Sequence, residues 1–572
     1  MHQEEFIEVA LGEKKADLVL KNAKIVNVLT EEIYESDVAI VKGRIAGVER
    51  EYQGEKEIDL KGAYLTPGFI DGHVHIESSM MLPHRFAQAV VPAGTTTVII
   101  DPHEIANVLG LHGITFMHEA TRDLPLRVYT MLPSCVPATP FETSGFELNS
   151  YDLSVLIDRD WVLGLAEMMN FPGVIHRDKN VMAKIDLALK NKKRVDGHAP
   201  KVSGKDLCAY IASGITSDHE CTDPQQAIEK LRQGMYIMVR EGTAAKDLDA
   251  LMPILLHDNN RKIIFVTDDR HPEDLKIHIN GMVQRAVDNR VNPIKAIQMA
   301  SLNTAEYFKI QDLGAIAPGY RADFNVFENL QEFTKPKMVF KGGEVVAENG
   351  ELTNSLENME IPATRGSVNV GWLEDNCFQI QAKGDKVKAI EIIPHQLITK
   401  ETVAKVNVEN GLAESNVEDD VLKICVVERH RASGNVGKGF IKGFGIKQGA
   451  IASTVAHDSH NMIIIGTNDK DMYLAQKELV KSQGGRIVIK DGEVLAKLPL
   501  PIAGLMSDKD YEYVTSQSEA LNVAAKEIGC KVDDPFMTMG FVSLPVIPEL
   551  KITDKGVFST KTFDFIDIFD VE

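Results

Sequence analysis

Strand-like and helix-like segments alternate along the middle of the chain, and this alternation limits the possible folds more than any other feature. Apolar runs of strand length recur between Phe69 and Asp268, separated by amphipathic segments such as 181–190. Repeated strand–helix units favour a (β/α)8 barrel, in which parallel strands form the inner ring. A doubly wound parallel sheet stays open as an alternative, because the number of strands does not exclude it. The strand-like runs are 69–71, 97–101, 126–131, 162–167, 194–198, 215–219, 236–240 and 263–268.

Two β-rich segments flank this central region. Short apolar runs separated by turns fill residues 16–65, and the Lys42-Gly43-Arg44 turn between two of them indicates a β-hairpin. A similar pattern returns at 319–346. We therefore expect residues 1–66 and 318–360 to form one small β-sandwich domain, built from both sides of a barrel at 67–317.

The remaining residues, 361–572, form a third region with a different pattern. Apolar strand-like runs at 422–428 and 462–466 precede a helical stretch at 469–482. A chain of 572 residues is also too long for a single hydrophobic core. The sequence therefore predicts a separate C-terminal α/β domain, so that the whole chain is of the α/β class.

Charge and cysteine content disfavour several kinds of partner and compartment. The chain has 62 Lys and Arg against 83 Asp and Glu, a formal net charge of −21. This balance argues against nucleic acid and against an anionic membrane surface as partners, because both attract basic faces. The six cysteines include no CxxC pair, and neither a signal peptide nor a membrane-spanning apolar run is visible. We expect a cytoplasmic protein.

Histidines and carboxylates stand where the predicted strands end. His73 and His75 are two residues apart on one strand, so their side chains project from the same face and can bind one metal ion. The carboxyl ends of barrel strands meet at one mouth, where active sites form. A single histidine is more often a core or surface residue, but this many at strand ends favours a site for two metal ions. The predicted metal ligands are His73, His75, Glu167, His198, His219 and Asp268.

These residues and their surroundings resemble the adenine deaminase family of the amidohydrolase superfamily. Members of the superfamily carry an HxH pair on strand 1, a bridging residue near strand 4, single histidines on strands 5 and 6, and an aspartate on strand 8. The resemblance extends over nearly the whole chain, since the family also has an additional C-terminal domain. The matching phrases are 67–80, 101–108, 164–169, 197–200, 217–220 and 267–269.

The resemblance implies a metal-dependent barrel that hydrolyses adenine to hypoxanthine and ammonia by a metal-bridging hydroxide, in purine salvage. It also implies two divalent metal ions, with manganese or iron expected and zinc as an alternative. Many cyclic-amide hydrolases of the superfamily use a carboxylated lysine where this chain has Glu167, which disfavours that activity. A cyclic-amide hydrolase similar to dihydroorotase or hydantoinase remains the alternative enzyme. A binding or assembly protein is the non-enzyme alternative, although such proteins typically lose the metal ligands.

Individual roles follow from the resemblance and from the positions of the residues. Asp268 is the expected base. Glu220, adjacent to His219, is the candidate acid that protonates the purine ring, with a solvated surface glutamate as the alternative. Asp269 is expected to accept a hydrogen bond from the purine, with capping of the next helix as the alternative. The expected partners are adenine and water, and the expected assembly is a homodimer or homotetramer. The other predicted substrate-binding residues are Asp101, His103, Glu104 and Arg240. A helix cap is the alternative for the first three, and neutralisation of nearby carboxylates is the alternative for Arg240.

Two polar segments of the C-terminal region, 428–436 and 456–461, lie beside apolar strands. We interpret the second as a segment that presents His457 and His460 to the barrel mouth, where they close or support the site. A self-contained polar patch or a contact between subunits is the alternative.

Overall fold

The computed structural model describes residues 3–356, 364, 366–394 and 396–571. The domain boundary predicted at 360–361 lies outside these residues. Helix α1 (Gln3–Ala10) begins the described chain and is followed by a series of strands. These strands are β1 (Ala16–Asn27), β2 (Glu32–Val41), β3 (Arg44–Glu49), β4 (Gly54–Asp59) and β5 (Tyr64–Pro67).

Parallel strand segments fill the central region. They are β6 (Phe69–His75), β7 (Thr95–Ile100), β8 (Arg127–Leu132), β9 (Val162–Met168), β10 (Arg194–Gly197), β11 (Ser217–Asp218), β12 (Tyr236–Arg240), β13 (Ile263–Val266) and β14 (Asp268–Asp269). They pair in the orders β10-β9-β8-β7-β6-β14 and β11-β12-β13. Only Thr267 separates β13 from β14, so the two sheets share one interrupted strand. At their other ends, the backbone N–H of Thr216 donates to the carbonyl of Val195 at 3.1 Å. The predicted alternation is confirmed, and the segments form a curled parallel sheet.

Helices occupy most of the connections between these strands. They are α2 (Pro83–Val90), α3 (His103–Leu109), α4 (Leu111–Ala120), α5 (Ser150–Leu153), α6 (Phe171–Ile175), α7 (Lys179–Lys190), α8 (Gly204–Ala212), α9 (Pro224–Arg232), α10 (Leu248–Leu255), α11 (Ile279–Asp288), α12 (Pro293–Met299) and α13 (Leu302–Tyr307), with 3-10 turns at Ile76–Ser79 and Pro272–Asp274.

Alternate residues of the strands serve two different cores. On β13, Phe265 packs with helix residues such as Met282 on one side of the sheet. Its neighbour Ile264 faces the other side and shares an apolar cluster with residues of several other strands. Because side chains alternate along a strand, this pattern shows that the strands curl around a common interior. The inward residues of the other strands include Ile70, Ile99, Met131, Ala166 and Met238.

The segments on either side of the central region join in one sheet. After the central helices come β15 (Phe324–Phe327), β16 (Met338–Lys341), β17 (Glu344–Glu348) and β18 (Glu351–Leu352). Within the described residues the order is β18-β17-β16-β15-β5-β1-β2-β3, and β4 also pairs with β1. The junction is antiparallel, with Phe324 opposite Pro67 and Phe327 opposite Tyr64. Strand β5, which only Gly68 separates from β6, is therefore paired with a strand that is far away in the sequence.

In the described part of the C-terminal region, a mixed sheet is accompanied by the helices α14 (Asp469–Lys481), α15 (Tyr511–Glu527) and α16 (Pro535–Phe541). Its strands are β19 (Lys386–Ile392), β20 (Thr399–Lys405), β21 (Asn407–Glu409), β22 (Leu412–Glu414), β23 (Val421–Val427), β24 (Val436–Lys442), β25 (Ala450–Ser453), β26 (Met462–Gly466), β27 (Gly485–Lys490), β28 (Glu493–Pro499), β29 (Leu550–Thr553), β30 (Gly556–Ser559) and β31 (Asp564–Phe565). The main sheet has the order β20-β19-β24-β23-β26-β25-β27-β28. The runs predicted at 422–428, 462–466 and 469–482 coincide with β23, β26 and α14. Among the helices described, none is both long and apolar enough to cross a membrane.

Candidate metal centre

The strand ends bring the predicted ligands together around Glu167. One carboxylate oxygen, Oε1, lies 3.4 Å from Nε2 of His75 and 3.6 Å from Nε2 of His73. The other oxygen, Oε2, lies 2.8 Å from Nδ1 of His198 and 3.2 Å from Nε2 of His219. All five side chains are buried. One carboxylate between two histidine pairs is the arrangement expected of a ligand that bridges two cations.

Asp268 completes this cluster from β14. Its Oδ1 lies 3.3 Å from Nε2 of His75, and its Oδ2 accepts a hydrogen bond from Nη1 of Arg240 at 2.9 Å. Burial raises the pKa of Asp268, but His75 and Arg240 outweigh it and keep that pKa well below its usual range. The residue also adopts a left-handed backbone conformation, with φ of +59°. Asp268 is therefore an ionised carboxylate with one oxygen fixed by Arg240 and the other directed at the histidines.

Both histidines on β6, His73 and His75, have a ring nitrogen in a position suited to binding a metal. Nδ1 of His75 donates to the carbonyl of Asp101 at 2.8 Å, so Nε2 faces Glu167 and Asp268 and is the atom that would bind a metal once it is deprotonated. Nε2 of His73 is buried and has no hydrogen-bond partner in the described chain. Such an orphaned atom is costly, and a divalent cation at this position would satisfy it. The donor set of imidazoles and carboxylates therefore fits divalent transition metals.

The pKa directions agree with this fit. Burial, followed by the neighbouring His219, keeps the pKa of His73 well below its usual value, so His73 is neutral. Burial alone would lower the pKa of His75 and His219, but the carboxylates around them raise it. The carboxylates therefore favour the protonated forms of His75 and His219. Because a metal binds only unprotonated imidazole, metal binding would release protons from these two residues.

Arg240 and Glu220 form an ion pair beside the cluster. Arg240 donates to both oxygens of Glu220, and its Nε donates to Asp247 at 3.1 Å. Burial raises the pKa of Glu220, but Arg240 overcomes this and keeps that pKa well below its usual range. Glu220 Oε1 also lies 3.4 Å from Nε2 of His219. Arg240 thus contacts three carboxylates, and Glu220 is ionised, so it must take up a proton before it can donate one.

Asp101 and His103, predicted to bind substrate, lie close to the predicted metal ligands. Nδ1 of His103 lies 3.0 Å from Oδ2 of Asp101 and 3.6 Å from Oε1 of Glu167. Together with His75, these residues offer four ligand atoms that lie within 4.8 Å of one another. In the described chain Oδ1 of Asp101 is buried without a partner. The pair can therefore ligate a cation or contact the substrate.

Glu104 and Asp269 are linked through Ser78. The Ser78 hydroxyl lies 2.5 Å from Oδ1 of Asp269 and 2.9 Å from Oε1 of Glu104. The 3-10 turn after Asp269 has His271 at its N-cap position, so Asp269 does not cap it. Asp269 lines the pocket beside the cluster of predicted ligands and is in position to accept a hydrogen bond.

The C-terminal segment 456–461 reaches this pocket, as interpreted from its polarity. His457 lines the pocket, with its Nδ1 3.3 Å from Oε1 of Glu104, and Asp458 lines it as well. His460 lies behind them, and its Nδ1 accepts from the backbone N–H of Ala456 at 3.1 Å. Neutral His460 therefore carries its proton on Nε2, which makes that atom a donor and not a metal ligand.

The C-terminal region also contributes apolar residues that the sequence analysis missed. Helix α16 and the segments near it supply part of the pocket lining. These residues have the composition of any hydrophobic core, so no local signal distinguishes them. They are Leu397, Met537, Phe541, Leu544 and Ile547.

Two family models match separate parts of the chain. A model described as the amidohydrolase family matches residues 64–346, and one described as the adenine deaminase C-terminal domain matches 396–564. A protein of Carboxydothermus hydrogenoformans named adenine deaminase 2 is 51% identical over 567 residues, with 99% of both chains covered. An adenine deaminase of Desulfatibacillum aliphaticivorans is 48% identical over 574 residues, with 100% of both chains covered. A solved β-aspartyl dipeptidase of Fervidobacterium islandicum has 19% identity and a TM-score of 0.47, covering 59% of this chain and 99% of its own. Because these relatives are about half identical over their full length, this chain belongs to the adenine deaminase family.

Proposed function

We propose that this protein hydrolyses adenine to hypoxanthine and ammonia, and that it does so in purine salvage. The observation that carries the proposal is the convergence of four histidines on the two oxygens of Glu167, in a chain whose full-length relatives are named adenine deaminases. Water and adenine are the reactants, so the C6–N bond breaks and a C6–O bond forms.

The ligands support two divalent cations, with manganese or iron expected and zinc possible. His73 and His75 would hold one ion, His198 and His219 the other, and Glu167 would lie between them. Bound divalent cations lower the pKa of water towards neutrality and so supply a nucleophile for C6.

Asp268 is the proposed general base. Its Oδ2 is engaged by Arg240, so Oδ1 is the oxygen available to take a proton from the attacking water. The same proton can then pass to the exocyclic amine, which leaves as ammonia. Arg240 keeps the carboxylate ionised and oriented, and this fixes the direction of proton transfer.

The remaining polar groups position the purine and complete the proton transfers. Asp269, tied to Ser78 at 2.5 Å, is proposed to accept a hydrogen bond from a ring N–H. Asp101, His103 and Glu104 are proposed to contact the purine edge. Glu220 is proposed to protonate the ring nitrogen after taking up a proton, since it is ionised beside Arg240.

We also propose that the central region is a closed (β/α)8 barrel at 67–317, flanked by a sandwich domain of 1–66 and 318–360 and followed by a C-terminal domain of 361–572. The antiparallel pairing of Phe324 with Pro67 supports the first two units. The homodimer or homotetramer expected from the family is the proposed assembly.

Ammonia release separates the proposal from its alternative. Apo protein reloaded with Mn²⁺, Fe²⁺ or Zn²⁺ is assayed with adenine, hydantoin and dihydroorotate. Ammonia from adenine is the expected result, whereas ring opening of the cyclic amides without it would establish the alternative activity.

A variant tests the metal centre itself. Glu167→Gln is expected to lower bound metal, measured by elemental analysis, and to reduce kcat/KM at least about 100-fold, since outer-sphere partners alone are worth about 10–100-fold. Glu119→Gln, on the exposed side of α4, is the matched control. Full metal content and activity in the Glu167 variant would contradict the proposed centre.

A further inference from the structure

The parallel sheet around the predicted ligands is interrupted between β10 and β11. Within the described residues, β10 is the last strand of one sheet and β11 is the first strand of the other. His198 directly follows β10, and His219 directly follows β11. These two histidines, which define what we call the second cation site, therefore stand on opposite sides of the interruption.

The other histidine pair is held differently. His73 and His75 lie within β6, which pairs with β7 on one side and β14 on the other, so regular strand pairing fixes both. Across the interruption, the N–H of Thr216 donates to the carbonyl of Val195 at 3.1 Å, well before the two histidines. Nearer to them, side chains make the connections that main-chain pairing makes elsewhere.

A buried ion pair makes the connection beside the histidines. Nζ of Lys230, on α9, lies 2.8 Å from Oδ2 of Asp218, and the two side chains are 1% and 0% exposed. Oδ1 of Asp218 accepts from the N–H of Ala199 at 2.7 Å, and Nζ of Lys230 donates to the carbonyl of Ala199 at 2.8 Å. Both main-chain groups of the residue after His198 are thus bound by the pair.

The same carboxylate also binds the main chain beside His219. Oδ2 of Asp218 accepts from the N–H of Glu220 at 3.2 Å, so Asp218 accepts from the peptide that follows each histidine. Nδ1 of His198 and Nε2 of His219 lie 3.3 Å apart. Because metal–ligand distances are tolerated only within about 0.2 Å, a small shift across the interruption would separate two ligands of one cation.

Stability alone does not require charges at this position. Well-packed apolar side chains can replace a buried ion pair without loss of stability. The described pocket is lined by His198, His219 and Glu220 but not by Asp218 or Lys230, so the pair can act on the centre only through the residues that it holds.

We propose that Asp218 and Lys230 are positioning residues for the second cation site, which set the separation of His198 and His219 where the sheet is interrupted. The site formed by His73 and His75 does not depend on them. The inference rests on the proposed function and its two cations, and it deepens that proposal by assigning a separate support to one of the two sites.

The test titrates Mn²⁺ into chelated, full-length protein without adenine. Wild type is expected to bind two ions and to give the electron paramagnetic resonance spectrum of a coupled pair. Lys230→Met removes the ammonium and keeps most of the side-chain stem. It is expected to raise the Kd of one ion by about 10–100-fold, the usual effect of losing a partner outside the ligand sphere, and to leave the other Kd unchanged. At one equivalent of Mn²⁺ this variant should show the spectrum of an isolated ion.

Two ligand variants identify the affected site. In His73→Ala, which weakens the first site, adding Lys230→Met is expected to raise the Kd of the remaining ion. In His198→Ala, which weakens the second site, adding Lys230→Met is expected to change nothing further. The opposite pattern would overturn the inference.

Lys423→Met is the matched control. Lys423 is also a fully buried lysine with carboxylate partners, Glu414 at 2.8 Å and Asp469 at 2.6 Å, but it lies on β23 in the C-terminal sheet. The control is expected to retain both Mn²⁺ affinities, which separates positioning from a general loss of stability.

Asp218→Asn keeps the shape of the side chain and repeats the test should Lys230→Met fail to fold. Wild-type affinity for both ions in the folded Asp218 and Lys230 variants would overturn the inference, as would an equal loss in Lys423→Met. Wild-type protein that binds two Mn²⁺ ions but releases no ammonia from adenine would instead overturn the proposed function. Because the Mn²⁺ titration needs no turnover, the two failures are distinguishable.

Discussion

Lys551 provides a quantitative test of how the C-terminal region supports the pocket. It is fully buried on β29 and donates to the carbonyls of Leu397 and Phe541. Burial lowers the pKa of Lys551 to about 7. Carbonyl oxygens accept from a neutral amine as well as from an ammonium, so both contacts persist after deprotonation.

The sign of the pH effect follows from linkage. In the unfolded chain the lysine titrates near its ordinary pKa of about 10.4, so between pH 7 and that value the unfolded state binds more protons than the folded one. The free energy of unfolding therefore rises with pH across this window. From pH 7 to pH 9 the contribution of Lys551 is about 2 kcal/mol, taking 1.36 kcal/mol per pKa unit and half-protonation at pH 7.

Lys551→Met removes this titration and keeps the stem of the side chain. The expected result is that urea unfolding of the variant gains about 2 kcal/mol less than wild type between pH 7 and pH 9. Lys526→Met, at an exposed position of α15, is expected to retain the wild-type dependence. Parallel pH profiles for Lys551→Met and wild type would refute a native state that disfavours the charged lysine.

Three further predictions concern the centre and the helix beside it. Asp268→Asn is expected to lower kcat for adenine by about 10²–10⁴-fold in a metal-loaded protein, since it removes the base, and unchanged kcat would contradict that role. Adding metal to chelated protein at about 100 times its Kd is expected to stabilise the fold by about 2.7 kcal/mol, seen as a higher Tm, and no shift would argue against a folded-state metal site. Asp534→Ala removes the N-cap of α16 and is expected to cost about 1–2 kcal/mol in chemical unfolding. The adjacent exposed Asp533→Ala is its control, and equal losses in both variants would deny Asp534 a capping role.

The sequence brings the proposed metal ligands together because they belong to local patterns. His73 and His75 occupy alternate positions of one strand, and Glu167 and His219 end or follow others, so strand assignment alone brings them to one edge. The phrase around His457 is recognisable because a polar run stands beside apolar strands. These patterns can be recognised in the sequence without any knowledge of tertiary packing.

The apolar residues that the C-terminal region adds to the pocket could not be predicted from the sequence. Met537 and Ile547 have the composition of ordinary core residues, and only their packing against Met169 makes them part of a pocket. The contacts of Arg240 could not be predicted from the sequence either, because its three carboxylate partners come from separate parts of the chain. Contacts between distant segments depend on the finished fold, and neither periodicity nor spacing encodes them.

The left-handed backbone at Asp268 restricts which acids can occupy that position. Asparagine and aspartate adopt this conformation more readily than other non-glycine residues, whereas longer or branched side chains add steric cost. Glutamate would thus meet a conformational penalty before its extra methylene displaced the carboxylate. Main-chain geometry as well as chemistry therefore limits which residues can replace the base at this position. Asn is the substitution that alters the charge while remaining compatible with this backbone conformation.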